Sequence, residues 1–122
     1  MPIKNLGIRV SLFIEPNMEQ VKAAKKVGAD IIELHTGHFC DLFEKSEIKE
    51  YSEYLEKLEK ASQYAHSLGL EVHAGHGLTV ESVKYLRKIP EIKELNIGHS
   101  IISDSIKLGI AGAVSLMKKT IN

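Results

Sequence analysis

Residues 71–79, Glu-Val-His-Ala-Gly-His-Gly-Leu-Thr, read as a short strand that turns sharply into a helix. Val72 and Ala74 alternate with Glu71 and His73, the period-two pattern of a strand with one apolar and one polar face. Gly75 and Gly77 bracket His76, and glycines permit a tight turn and let a ligand approach the backbone. Thr79 has the hydroxyl of an N-cap residue, for a short helix to about Arg87 that Pro90 cannot continue. Strand, glycine-bearing turn and helix together make the repeating unit of a parallel β/α protein.

The same unit recurs on both sides. Upstream, Asp30–His35 (DIIELH) is a strand, followed by a loop with Gly37 and a long charged helix from about Ser46 to Ser67. Tyr51, Tyr54, Leu55, Leu58, Ala61 and Ala65 recur there at helical spacing, and Gly69 closes the helix. Farther upstream, Arg9–Glu15 (RVSLFIE) is a strand stopped by Pro16; Asn17 caps a helix to about Val27, ended by Gly28. Downstream, Lys93–Ile97 (KELNI) is the fourth strand, and Ser100–Ile121 is helical with a break near Gly109. No linker or low-complexity segment interrupts the series, so residues 1–122 read as a single unit without an internal boundary.

Strand parity selects the architecture. Val10, Leu12 and Ile14 share one face, as do Ile32 with Leu34, Leu70 with Val72 and Ala74, and Leu95 with Ile97. The opposite face carries Arg9, Ser11, Phe13 and Glu15, then Ile31, Glu33 and His35, then Glu71 and His73, then Glu94 and Asn96. A doubly wound sheet is covered on both faces and has near-continuous apolar strands. A polar face in all four strands instead suits the interior of a TIM-type (β/α) barrel that hosts chemistry; a sheet face open to solvent is the alternative. Complete barrels of this type run to roughly 250 residues. The 122 residues therefore predict about four β/α units, a half-barrel that needs a second half.

Composition limits the partners. Sixteen Lys and Arg balance sixteen Asp and Glu, which gives no bulk electrostatic attraction to nucleic acid or anionic membrane. Cys40 is the only cysteine, so no internal disulfide is expected and a reducing cytoplasm fits. The N-terminus lacks the apolar stretch of a signal peptide, and no unbroken apolar run approaches the ~20 residues of a membrane span.

Three constellations carry chemistry. The first is the 74–79 turn, where His76 can exchange a proton near neutral pH and Gly77 with the helix start can face an anion; a plain turn with a solvated histidine is the alternative. The second is Asn96-Ile97-Gly98-His99-Ser100, a glycine at a strand end opening a helix, which is how barrel enzymes commonly cradle phosphate. Its alternative is an ordinary helix start capped by Ser100. The third is Glu33, a carboxylate on the polar face, costly there unless paired or used; its structural alternative is a salt bridge to Arg9. The pairs His35/His38 and His73/His76 raise a zinc site with Glu33, but they span strand ends and loops with no helical register to fix them. Cys40 has no evident base nearby and reads as structural. His66, near a helix C-terminus, reads as a surface or dipole contact.

The segments RVSLFIE, EQVKAAKKVGADIIELHTG, LGLEVHAGHGLT and PEIKELNIGHSIISDSIKLG closely resemble, in order, the C-terminal half of the pyridoxine 5′-phosphate synthase family. The resemblance implies a β/α barrel, assembled as an octamer. It implies condensation of 3-amino-2-oxopropyl phosphate with 1-deoxy-D-xylulose 5-phosphate. The products are pyridoxine 5′-phosphate, inorganic phosphate and water, in de novo vitamin B6 synthesis. By motif, His76 matches the proton donor, Gly77 a contact to the aminoketone phosphate, Gly98 and His99 the pair binding that phosphate, and Glu33 the carboxylate stabilising transition states. The implied chemistry is acid–base catalysis on a Schiff base between the two substrates, with no metal or organic cofactor.

The family's N-terminal half, which supplies a base histidine, a base glutamate and the basic residues for the second phosphate, lies outside these 122 residues. The resemblance therefore leaves this chain expected to be inactive alone. A non-catalytic phosphate-binding half-barrel is the alternative. An aldolase- or isomerase-type barrel fits less well, because no lysine is placed for a Schiff base.

Overall fold

A computed structural model describes residues 2–122 as four parallel strands in one sheet, with neighbours in the order β1-β2-β3-β4. The strands are β1 (Ser11–Ile14), β2 (Ile31–His35), β3 (Glu71–Gly75) and β4 (Ile92–Asn96). The helices are α1 (Met18–Lys26), α2 (Gly37–Glu44), α3 (Ile48–Ser67), α4 (Val80–Leu86) and α5 (His99–Ile121), and a 3₁₀ turn spans Pro2–Leu6. Each strand pairs with the next one along the chain, which is the α/β arrangement expected of consecutive strand–helix units.

The caps are those read from the sequence. Asn17 Oδ1 accepts from the amides of Glu19 and Gln20 at 2.8 and 3.3 Å. Thr79 and Ser82 form a reciprocal capping box at the start of α4. Gly28 and Gly69 take φ of +89° and +78° behind α1 and α3, the left-handed conformation that satisfies terminal carbonyls with little steric cost.

Strand parity sorts the faces. Ile32, Leu34, Val72 and Ala74 are fully or almost fully buried, and they pack in one cluster with Val21 of α1, Leu58, Ala61 and Ala65 of α3, and Val83 and Leu86 of α4. At roughly 25 cal/mol per Å² of apolar surface removed from water, this helix-covered face is what holds the sheet together. On the opposite face Phe13 pairs in register with Glu33, Glu33 with His73, and His73 with Glu94. Phe13 stays 53% exposed, so that face lacks a cover in these residues.

Two expectations need correction. The segment around Gly37 is not a loop but the start of α2, whose Phe39 and Cys40 are buried; Phe39 also packs edge-on against Tyr51 of α3. The fourth strand begins at Ile92, because the register with β3 slips between Val72 and His73. By length and composition alone, α5 is also apolar enough to cross a membrane, but it is not one continuous helix. The helix is broken at Gly109, with φ +71° and ψ 160°. Ala113 and Met117 beyond the break are buried, whereas Ile102 and Ile106 before it are 62% and 85% exposed.

Candidate active site

All four strands run the same way, so their C-terminal ends and the loops that follow form one rim. Glu33, His76, Gly77, Gly98 and His99 all line a single cavity of about 750 Å³ at that rim, together with Phe13, Asn96 and Ser100. The five residues singled out from the sequence thus come from three different strand–helix units and meet in one place.

The 75–77 turn is the most constrained part. His76 has φ +88° and Gly77 φ +75°, two successive residues in the left-handed region. For a histidine this costs on the order of 1–2 kcal/mol, so the surroundings must impose it. Thr36, which is fully buried, does so from the neighbouring loop. Its amide donates to the Gly75 carbonyl at 2.9 Å. Its hydroxyl lies 2.7 Å from both the Gly75 and the His76 carbonyl oxygens. With the peptide held from behind, the His76 side chain is left exposed on the cavity side.

Glu33 reaches the same cavity across Gly75. A Cβ on Gly75 would collide with Glu33 Oε1 and with Asn96, so the missing side chain is the space the carboxylate occupies. The salt bridge considered between Glu33 and Arg9 is not formed. Arg9 Nη2 instead lies 2.6 Å from Glu71 Oε2, one layer toward the N-terminal strand ends, and Glu71 Oε1 in turn bonds His73 Nε2 at 2.7 Å. Hydrogen bonding from His73 first, and from Arg9 second, holds the Glu71 carboxyl below its ordinary range.

Gly98 is the N-cap of α5, and no side chain caps this helix. Its first amides are therefore left for solvent or a ligand. A Cβ on Gly98 would meet nothing within 4 Å, so the approach to those amides is open. Ser100, at the edge of the cavity, commits its hydroxyl to the protein: it donates to the Leu78 carbonyl at 2.7 Å. That bond ties the Gly98 loop to the Gly77 loop and fixes the two glycines relative to each other.

Three groups at the rim, His35, Thr36 and Ser100, take roles that the sequence reading did not give them. His35 Nδ1 accepts from the Gly37 amide at 2.9 Å, and its ring sits between Phe13 and His76 with 4.9 Å between centroids on either side. Thr36 and Ser100 act through backbone carbonyls of other loops. The only signal in the sequence was a small hydroxyl residue directly after a strand end or inside a helix start. Cys40 Sγ is buried, 3.8 Å from the His76 carbonyl and 3.9 Å from Ser82 Oγ. Burial pushes its thiol up to about 11, which agrees with a structural reading. Among the described residues no group of three or more His, Cys, Asp and Glu side chains could hold a metal ion.

The whole chain, residues 1–122, matches the family described as "Pyridoxal phosphate biosynthesis protein PdxJ". Curated relatives are named pyridoxine 5′-phosphate synthase. The chain is 52% identical over 120 residues to the one from Sulfurihydrogenibium sp., covering 98% of this chain and 48% of the relative. It is 49% identical over 119 residues to that of Coxiella burnetii, covering 98% and 48%. It is 45% identical over 118 residues to that of Ruegeria pomeroyi, covering 97% and 48%. The chain thus spans about half the length of the curated relatives it matches.

Proposed function

Because the chain belongs to the PdxJ family of pyridoxal phosphate biosynthesis proteins, we propose that it forms the C-terminal half of a TIM-type barrel with pyridoxine 5′-phosphate synthase activity. In this reading residues 1–122 are one undivided half-barrel. The complete cytoplasmic, homo-oligomeric enzyme condenses 3-amino-2-oxopropyl phosphate with 1-deoxy-D-xylulose 5-phosphate and releases pyridoxine 5′-phosphate and inorganic phosphate.

The observation that carries the proposal is the convergence of Glu33, His76, Gly77, Gly98 and His99 on one cavity at the C-terminal strand ends. Active sites of β/α barrels lie at that end. The uncapped start of α5 receives the aminoketone phosphate, since free amides and the helix dipole favour an anion. Gly77 and His99 contact the same group. His76, exposed above its held peptide, donates a proton to a departing oxygen of the condensing substrates. Glu33 stabilises the positive charge that develops on the Schiff base between them, an electrostatic role suited to a carboxylate.

Half of the rim, and the residues for the second phosphate, come from an N-terminal half-barrel. The test is turnover by this chain co-expressed with the N-terminal half of the Sulfurihydrogenibium relative. His76→Ala should lower kcat by about 10²–10⁴-fold, the usual worth of a general acid, with little change in KM for the aminoketone phosphate. A loss confined to KM makes His76 a binding residue. Absence of turnover in the complemented wild type, with phosphate binding intact, favours a non-catalytic phosphate-binding module.

A further inference from the structure

We infer that His35 is a positioning residue for His76, an imidazole locked in one tautomer and wedged against the proton donor. The inference rests on the reading of His76 given above, but its structural half stands on contacts alone.

Gly37 is the first residue of α2, and the Thr36 side chain at the N-cap makes no capping bond. Thr36 is committed instead to the 75–76 carbonyls. The Gly37 amide would be an unsatisfied helix donor, and His35 Nδ1 satisfies it at 2.9 Å. A ring nitrogen that accepts from a backbone amide carries no proton, so the His35 proton sits on Nε2. Phe13 closes one side of this pinned ring and His76 the other, each at 4.9 Å.

Gly37 makes the arrangement possible. A Cβ there would strike both the His35 and the His76 rings. The His76 backbone is held by Thr36, and its ring is backed by His35. Together these leave the imidazole few orientations, and the one it keeps faces the cavity. Misplacing a catalytic group by about 1 Å can cost on the order of 10²-fold, so a fixed wall behind His76 acts on turnover without touching substrate.

Two sets of measurements test this. In the 122-residue chain, long-range ¹H–¹⁵N NMR should find His35 as the Nε2–H tautomer, with cross-relaxation between the His35 and His76 rings. A tautomer average, or no contact between the rings, overturns the inference whatever the chain's activity. In the complemented barrel, His35→Asn keeps an acceptor for the Gly37 amide but removes the wall. It should lower kcat about tenfold or more with KM nearly unchanged. His35→Phe keeps the wall but loses the acceptor for the Gly37 amide, and should lower kcat less than His35→Asn does. Wild-type kcat in His35→Asn overturns the inference, and so does an equal loss in both variants, which would make Nε2–H a direct substrate contact. If His76→Ala leaves kcat intact while the NMR contacts are present, the proton-donor reading fails and the packing relation stands.

Discussion

The Thr36 hydroxyl sits 2.7 Å from the carbonyl oxygen of His76, so the peptide that carries the exposed imidazole is fastened from the loop of a different strand. Thr36→Val, nearly isosteric, would leave buried carbonyls with one donor fewer. It should destabilise the chain by about 1–3 kcal/mol and weaken phosphate binding, because the turn that includes Gly77 loosens. Urea unfolding and phosphate titration of the same variant measure the two effects. Unchanged stability would mean that water replaces the hydroxyl at no cost.

Gly98→Val tests the anion site separately from the fold. A Cβ there meets no protein atom within 4 Å, so stability should change little. The added bulk stands in front of the α5 amides, and affinity for inorganic phosphate should fall by about tenfold or more. Calorimetric titration that finds equal affinity would move the phosphate elsewhere.

Acid should destabilise the chain in a defined range. The Val10 amide and then Lys4 hold the Asp30 carboxyl below its ordinary value, and Glu71 is lowered chiefly by His73. A carboxyl whose pKa is depressed on folding contributes stability above its unfolded pKa of about 4, and that contribution is lost as pH falls through the lower folded value. The thermal midpoint should therefore drop as pH is taken below about 4, and Asp30→Asn should flatten that part of the profile. An acid limb of the same slope in the variant would exclude Asp30 as a contributor.

In the half-barrel reading, the chain alone should self-associate and fail to turn over substrate. β1 and β4 are open parallel edges, which invite further strand pairing, and Phe13 on the polar face is more than half exposed. Sedimentation with a parallel assay for pyridoxine 5′-phosphate decides this. A stable, active monomer would show that four strand–helix units already enclose a whole site.

The convergence of the candidate residues was legible for a topological reason. Once strands and helices alternate, parallel pairing sends every strand's C-terminal end to one rim, so Glu33, His76 and Gly98 can be placed together without knowing any distance. The caps at Asn17 and Thr79 were legible because they are local, involving amides two or three residues ahead. What was hidden depends on contacts between units. The start of α2 at Gly37 has no capping side chain in the usual position, since Thr36 is used by the 75–76 peptides and His35 takes over the cap. The Arg9 pairing with Glu71 rather than Glu33 is set by which layer of the sheet its guanidinium reaches. The start of β4 moved because a register slip opposite Val72 and His73 has no signature in local composition.

The neighbour order of the strands also bears on how the chain comes off the ribosome. Each strand docks against the one synthesised just before it, so assembly can follow translation step by step and no early strand must wait for a distant partner. The longest stretch between consecutive strands runs from Thr36 to Leu70, between β2 and β3, and within it α2 and α3 can form locally. The Thr36 fastening is then completed only when Gly75 and His76 emerge, which makes the rim the last part of the first three units to acquire its final shape.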